Sequence, residues 1–205
     1  MTDTTSFRFD GGATWLNLMA TRGQSFGPRP VERLSSLEAA RSWLEQVGLA
    51  PADELSVDHL ERLVALREAL RVLAMAAVEG SEPALDAVAR VHREAEGLSD
   101  ISRKLDRSGA GVAVQFALGL IAVQALVSLR GPDRLLLKQC AEADCRWVFL
   151  DTSGRRHWCP SAGCANRGRV RAHRARRSTE KNDGHQRRQY QDGADDLTER
   201  EVLAQ

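Results

Sequence analysis

Aromatic side chains are scarce: one Tyr, five Phe and four Trp make up 5% of the 205 residues. That leaves no ladder of rings on which single-stranded bases stack. Cysteine is also rare, and four thiols are too few for a secreted disulfide scaffold of this length. Neither sign of charge dominates, since 29 Lys and Arg stand against 28 Asp and Glu for a net +1. The first ten residues hold no basic cluster ahead of an apolar core, which predicts no secretory signal, a cytoplasmic location and reduced thiols. A phosphate-binding loop, a nucleophile elbow and a paired-histidine metal motif are all missing. Gly109-Ala110-Gly111 lacks the third glycine and the strand-to-helix context of a dinucleotide site, so no motif predicts an enzyme.

What is present is an ordinary soluble composition, 42% apolar and 28% charged, in a chain long enough for one sizeable core with a small appended module. Charge is unevenly placed. Residues 138–188 hold 13 Lys and Arg against 5 Asp and Glu, a surplus of +8, while the remainder carries 16 against 23, or −7. One end of the chain attracts anions. The uncharged run from Ser108 to Leu129 is long enough to raise the question of a membrane span. Against spanning, Gln115 and Gln124 fall on opposite sides of a helix, no Trp or Tyr flanks the run, and residues 106–111 read as a turn. The pattern predicts a strand near 101–105, a turn, a second strand near 112–116 and a buried helix over 118–129, with no membrane partner.

Elsewhere the periodicity is helical. Phe7 and Phe9 alternate with Arg8 ahead of Gly11-Gly12, which predicts a short strand and turn; Thr14 to Ala20 reads as a brief helix and 23–30 as loop. Ser35-Ser36 caps a helix carrying Leu37, Ala40, Trp43, Leu44 and Val47 that ends at Gly48. Ser56 or Asp58 caps the next, whose Leu60, Leu63, Val64, Leu66, Leu70, Leu73 and Ala77 recur at threes and fours until Gly80. A third runs from Pro83 through Leu85, Val88, Ala89, His92 and Ala95 to Gly97. The expected class is mainly α. A helical domain with a short β-hairpin over 1–133 is followed by a small cysteine-bearing module over 134–177, and a polar, disordered tail over 178–205.

All four cysteines lie within 25 residues: Cys140 and Cys145, then thirteen residues, then Cys159 and Cys164. Two pairs astride a spacer suit a tetrahedral zinc site, each pair bending round the metal. In the spacer, 147–150, 151–154 and 155–158 read as strand, turn and strand, after which Pro160 and Ser161 open a helix to about Arg177 with Cys164 in its first turn. Knuckle, hairpin and ligand-bearing helix describe a treble-clef-like finger. Four thiolates close the shell, leave no position for a catalytic water, and predict one structural Zn2+. A module of about forty residues buries too little apolar surface to fold alone, so metal binding is expected to be its main folding term.

These residues resemble the CGNR zinc-finger proteins. The likeness lies in Cys140 to Ser153, in Arg156-His157-Trp158-Cys159, and in Cys164-Ala165-Asn166-Arg167 with the basic run behind it. Ala165 stands where the family's naming tetrad has glycine. In that family the finger follows a helical domain called ABATE, to which Trp15-Leu16-Asn17, Trp43-Leu44 with Gly48-Leu49, and residues 66–70 are similar. The resemblance implies a transcription regulator.

Six arginines fall between Arg167 and Arg177, with Arg156 nearby. At 3.6 residues per turn, Asn166, Arg169, His173, Arg176 and Arg177 share one helix face, the expected DNA-contacting set. Arg167, Arg171 and Arg174 share the Cys164 side and are expected to stabilise the finger or to reach DNA. One finger grips weakly, so a homodimer is expected to help. Asn17, Arg67 and His92 are polar groups among apolar neighbours, the candidate lining of a small-molecule effector pocket. Rival readings are a zinc-stapled protein-interaction module and an enzyme acting on a small molecule in the helical domain.

Overall fold

A computed structural model describes residues 6–98 and 113–177. Helix α1 (Thr14–Met19) leads to a two-residue hairpin, β1 (Arg22–Gly23) against β2 (Val31–Glu32), and then to α2 (Leu37–Gln46), α3 (Val57–Glu79), α4 (Leu85–Glu96) and α5 (Val114–Arg130). A short 3-10 turn (Pro132–Leu136) feeds β3 (Leu137–Gln139), which pairs antiparallel with β4 (Val148–Leu150). Residues 162–177 form a last helix, α6.

Local chemistry sets the boundaries. Ser36 accepts the amide of Ala39 at 3.1 Å to start α2. At α3 the Ser56 hydroxyl takes the amide of His59, whose imidazole in return accepts the Ser56 amide, so two orphan donors are satisfied together. That helix stops where Gly80 turns left-handed at φ +70. α3 is the spine: it packs against α1, α4, α5 and both strands of the second hairpin. Leu63, Leu66, Leu70 and Leu73 line its buried stripe, facing Trp15, Leu16, Leu118 and Ile121. Arg62, from α3, reaches the buried Glu94 of α4 at 2.6 Å and also donates to Gln115 of α5, so one fork ties three helices.

Three expectations are corrected. The strand expected near 112–116 is not formed over the described residues 113–116, because α5 is already helical from Val114; its uncharged face is buried on both sides by α3 and α4, which suits a continuous helix. Phe7 to Phe9 form no strand. Beyond them, the Gly11 carbonyl accepts the Leu150 amide instead. Residues 155–158 do not pair with 147–150. The Asp151 carboxylate captures the amides of Ser153 and Arg156, curling the chain after β4, and β4 takes its ladder from β3. The expected strand and turn over 101–111 and the tail over 178–205 lie outside the described residues. Among the described residues no helix is long and apolar enough to cross a membrane.

Candidate metal centre and basic helix

β3 runs directly into Cys140 and Cys145 runs back into β4, so the first cysteine pair occupies the turn of this hairpin. Register Leu137↔Leu150 and Gln139↔Val148, continued by Cys140 N–H to Trp147 O at 2.9 Å, holds the ends together. Within the turn the Glu142 carbonyl accepts the amides of Cys145 (2.9 Å) and Arg146 (3.0 Å). Arg146 adopts φ +45, a left-handed conformation that costs a non-glycine residue roughly 1 kcal/mol. Its side chain is anchored on Glu79 at 3.0 Å and over Phe26 at 4.8 Å, contacts that a glycine lacks. The second pair arrives from the other direction. The His157 carbonyl accepts the Ala141 amide, bringing Cys159 beside the knuckle, and Cys164 follows in the first turn of α6.

The result is a cluster of four buried, reduced cysteines whose sulfurs all lie within 4.8 Å of one another. A tetrahedral zinc with bonds of about 2.3 Å places its sulfurs about 3.8 Å apart, so the cluster fits such an ion closely. Acid–base chemistry agrees. Hydrogen bonding first from Cys145 holds Cys140 down to about 7, and Cys159 is pulled far down, chiefly by Cys140. Cys145 and Cys164 are pushed up, each mainly by Cys140. Four sulfurs this close cannot all ionise unaided; they share protons, and a divalent cation is what replaces those protons. The shell fits one structural zinc ion, consistent with a closed site that leaves no water for catalysis.

A strap from the N-terminus completes the surroundings. Arg8 donates to Cys159 Sγ at 3.5 Å, pairs with Asp10 at 2.8 Å and lies over the Trp147 ring at 4.4 Å. Four thiolates around a divalent ion carry −2, and this guanidinium offsets part of it. Gly11 follows, its carbonyl taken by Leu150 N–H at 3.0 Å and its amide donated to Asn17 Oδ1 at 2.9 Å. A side chain there would strike Asn17 and Trp147 at 2.8 Å, so only glycine allows the strap to lie this close. Trp147 N–H reaches back to the Leu16 carbonyl at 3.0 Å. The cysteine module therefore shares one continuous apolar core with α1 and α3. Arg8 was not singled out from sequence; its partner sulfur is 151 positions away, and no local pattern reports such a contact.

The chain divides into two compact units after Cys164. In the second, Asn166, Arg169, His173, Arg176 and Arg177 are exposed, as are Arg171 and Arg174, while Arg167 is partly covered. The first five fall within about 100° of arc on the helix, at 100° per residue.

The three polar residues of the helical part have different surroundings. Asn17 is buried and holds Gly11. Arg67, 1% exposed, forks onto both oxygens of Glu32 (2.6 and 2.7 Å) and reaches Thr21 and Glu68. His92 lines a cleft between α3, α4 and α5 to which neither Asn17 nor Arg67 contributes, so the structure does not bring the three together.

Comparison with known families gives two matches in the order of these parts. The ABATE model, described as "Putative stress-induced transcription regulator", matches residues 12–132, and the CGNR zinc finger model matches 136–177. No curated protein matches the chain. The first description is that of a regulator, not an enzyme. Arg8 and the strap up to Gly11 precede both matched segments. With more than half of its length matched by the first model, the chain belongs to the ABATE family and carries a CGNR zinc finger behind that domain.

Proposed function

We propose that the chain is a cytoplasmic, zinc-dependent DNA-binding regulator in which Cys140, Cys145, Cys159 and Cys164 hold one zinc ion. A helical domain occupies about 1–133, and the finger about 134–177. Asn166, Arg169, His173, Arg176 and Arg177 meet the duplex, and Arg167, Arg171 and Arg174 support the finger or add phosphate contacts. The observation that carries this reading is the exposed face of α6 formed by Asn166, Arg169, His173, Arg176 and Arg177, whose first member lies two residues after Cys164. A metal that fixes Cys164 fixes the first turn of that helix, so the cations are presented in an ordered row instead of on a loose tail. Arginine neutralises phosphate, and both Asn and Arg can read base edges if the helix enters a major groove.

Binding of the zinc-loaded full chain to duplex DNA, followed against salt, tests it. Each phosphate contact contributes about −0.9 to the slope of log K against log salt. Replacing Arg169 and Arg176 together by alanine should flatten that slope by roughly 2. Binding without salt dependence, or unchanged by the double replacement, contradicts the reading and favours a zinc-stapled protein-interaction module. A homodimer would double the contacts, and sedimentation at the concentrations of the binding assay reads that directly.

A further inference from the structure

The cleft that His92 lines has a volume of about 210 Å³ and lies between α3, α4 and α5, with none of the four cysteines in its lining. Its walls are apolar: Leu73, Ala76 and Ala77 from α3, Val88 from α4, Leu126 and Leu129 from α5. Two exposed cations, Arg130 at the end of α5 and Arg134 in the 3-10 turn, stand at its rim, and His92, Ser81 and Pro83 complete the lining. Among the described residues neither arginine has a carboxylate partner. Asp133 sits between them in sequence, yet its carboxylate faces Ser128, whose hydroxyl approaches it at 3.5 Å. The buried or half-buried Arg62, Arg67 and Arg71 behave differently, each pairing with an acid.

We propose that this cleft binds a small amphiphilic carboxylic acid, its apolar body between α3, α4 and α5 and its carboxylate on Arg130 and Arg134. Apolar clefts of this kind accept hydrocarbon readily. The volume corresponds to about seven waters at roughly 30 Å³ each, which restricts the ligand to a short aliphatic chain or a single ring. Two guanidiniums suit a carboxylate, because each offers a planar pair of donors. An amine would meet like charge at the rim, and a bare phosphate would leave the apolar walls unused. The site does not depend on whether α6 binds DNA.

Isothermal titration of the zinc-loaded full chain with hexanoate and benzoate, against hexanamide, benzamide and hexylamine, tests the proposal. The carboxylates should bind at least about tenfold tighter than the matched amides, and hexylamine should not bind. Arg130→Gln with Arg134→Gln should remove that preference while leaving amide affinity unchanged; both side chains are exposed, so the fold should tolerate the change. Ala77→Phe, which fills the cleft, should abolish binding of acid and amide alike. Three outcomes overturn the proposal: equal affinity for acid and amide, an unchanged preference in the double variant, or no carboxylate binding at millimolar concentration. Because the readout is binding heat without DNA, failure here leaves the DNA reading standing, and failure there leaves this one.

Discussion

Replacing Trp147 by phenylalanine probes whether the cysteine module and the helices form one cooperative structure. The indole is 4% exposed and donates to Leu16 O at 3.0 Å. That carbonyl also accepts Ala20 N–H at 3.2 Å, so it is not orphaned by the change and only the net value of one hydrogen bond, about 0.5–1.5 kcal/mol, is lost. The smaller ring leaves a void in a close-packed site, worth about 1 kcal/mol, and weakens the Arg8 stack by up to about 1 kcal/mol. Together these predict a destabilisation of about 2–3 kcal/mol. For a chain of this length that lowers Tm by roughly 4–12 °C. Calorimetry of the zinc-loaded protein, with helix content followed by circular dichroism, should show the helices melting earlier in step with the module. If helix melting stays fixed and only a separate, zinc-dependent transition moves, the shared core is wrong.

Arg67→Ala should cost about 1.5–3 kcal/mol, since it removes a buried guanidinium with its charged hydrogen bonds, while Glu32 is half-open to water and Glu68 keeps Arg22 and Arg71; Arg67→Lys should recover only part, and a change below about 1 kcal/mol in urea unfolding would contradict the network. Glu32 and Glu68 are each pushed up by burial, but Arg67 outweighs this at Glu32, and Arg71 with Arg67 outweighs it at Glu68, so both lie below the ordinary 4.5. Carboxyls depressed on folding stabilise fully above pH 4.5, and the gain is lost as pH falls through their lowered values. Comparing the urea midpoint of the native protein with Glu32→Gln across that window isolates the Glu32 part, which should appear as a shallower acid loss in the variant; parallel curves would refute it. Arg8→Ala should weaken zinc about tenfold in competition with a chromogenic chelator, as loss of partners around metal ligands does elsewhere, whereas unchanged affinity would reduce the strap to packing.

Much of this was legible in the residues because it is local. Ser36, Ser56, Gly48 and Gly80 bound their helices through neighbours three or four positions away, and the two cysteine pairs announce a metal by spacing alone. The errors arise where partners are distant. Asp151 bends the chain by side-chain bonds that compete with a strand ladder, and the true partner of β4 lies ahead of the knuckle, which no period-two pattern over three residues signals. Val114 is β-branched, yet burial of α5 between α3 and α4 overrides that propensity. Asn17 and Arg67 looked like pocket groups because they are polar among apolar neighbours; their hydrogen-bond partners, Gly11 and Glu32, are fixed only by the tertiary fold. Metal binding was expected to be the module's main folding term, because the burial of Trp147, Val148 and Phe149 in a core shared with the helices is set only by the tertiary fold.

The central claim is that four thiolates of this chain close around one zinc ion and thereby order both the hairpin and the start of α6. X-ray absorption at the zinc edge of the purified, zinc-loaded protein tests it most directly. The account predicts one zinc per chain with four sulfur neighbours at about 2.3 Å and no nitrogen or oxygen. A shell containing light ligands near 2.0–2.1 Å, or protein that retains no zinc while its four thiols titrate freely, would contradict it.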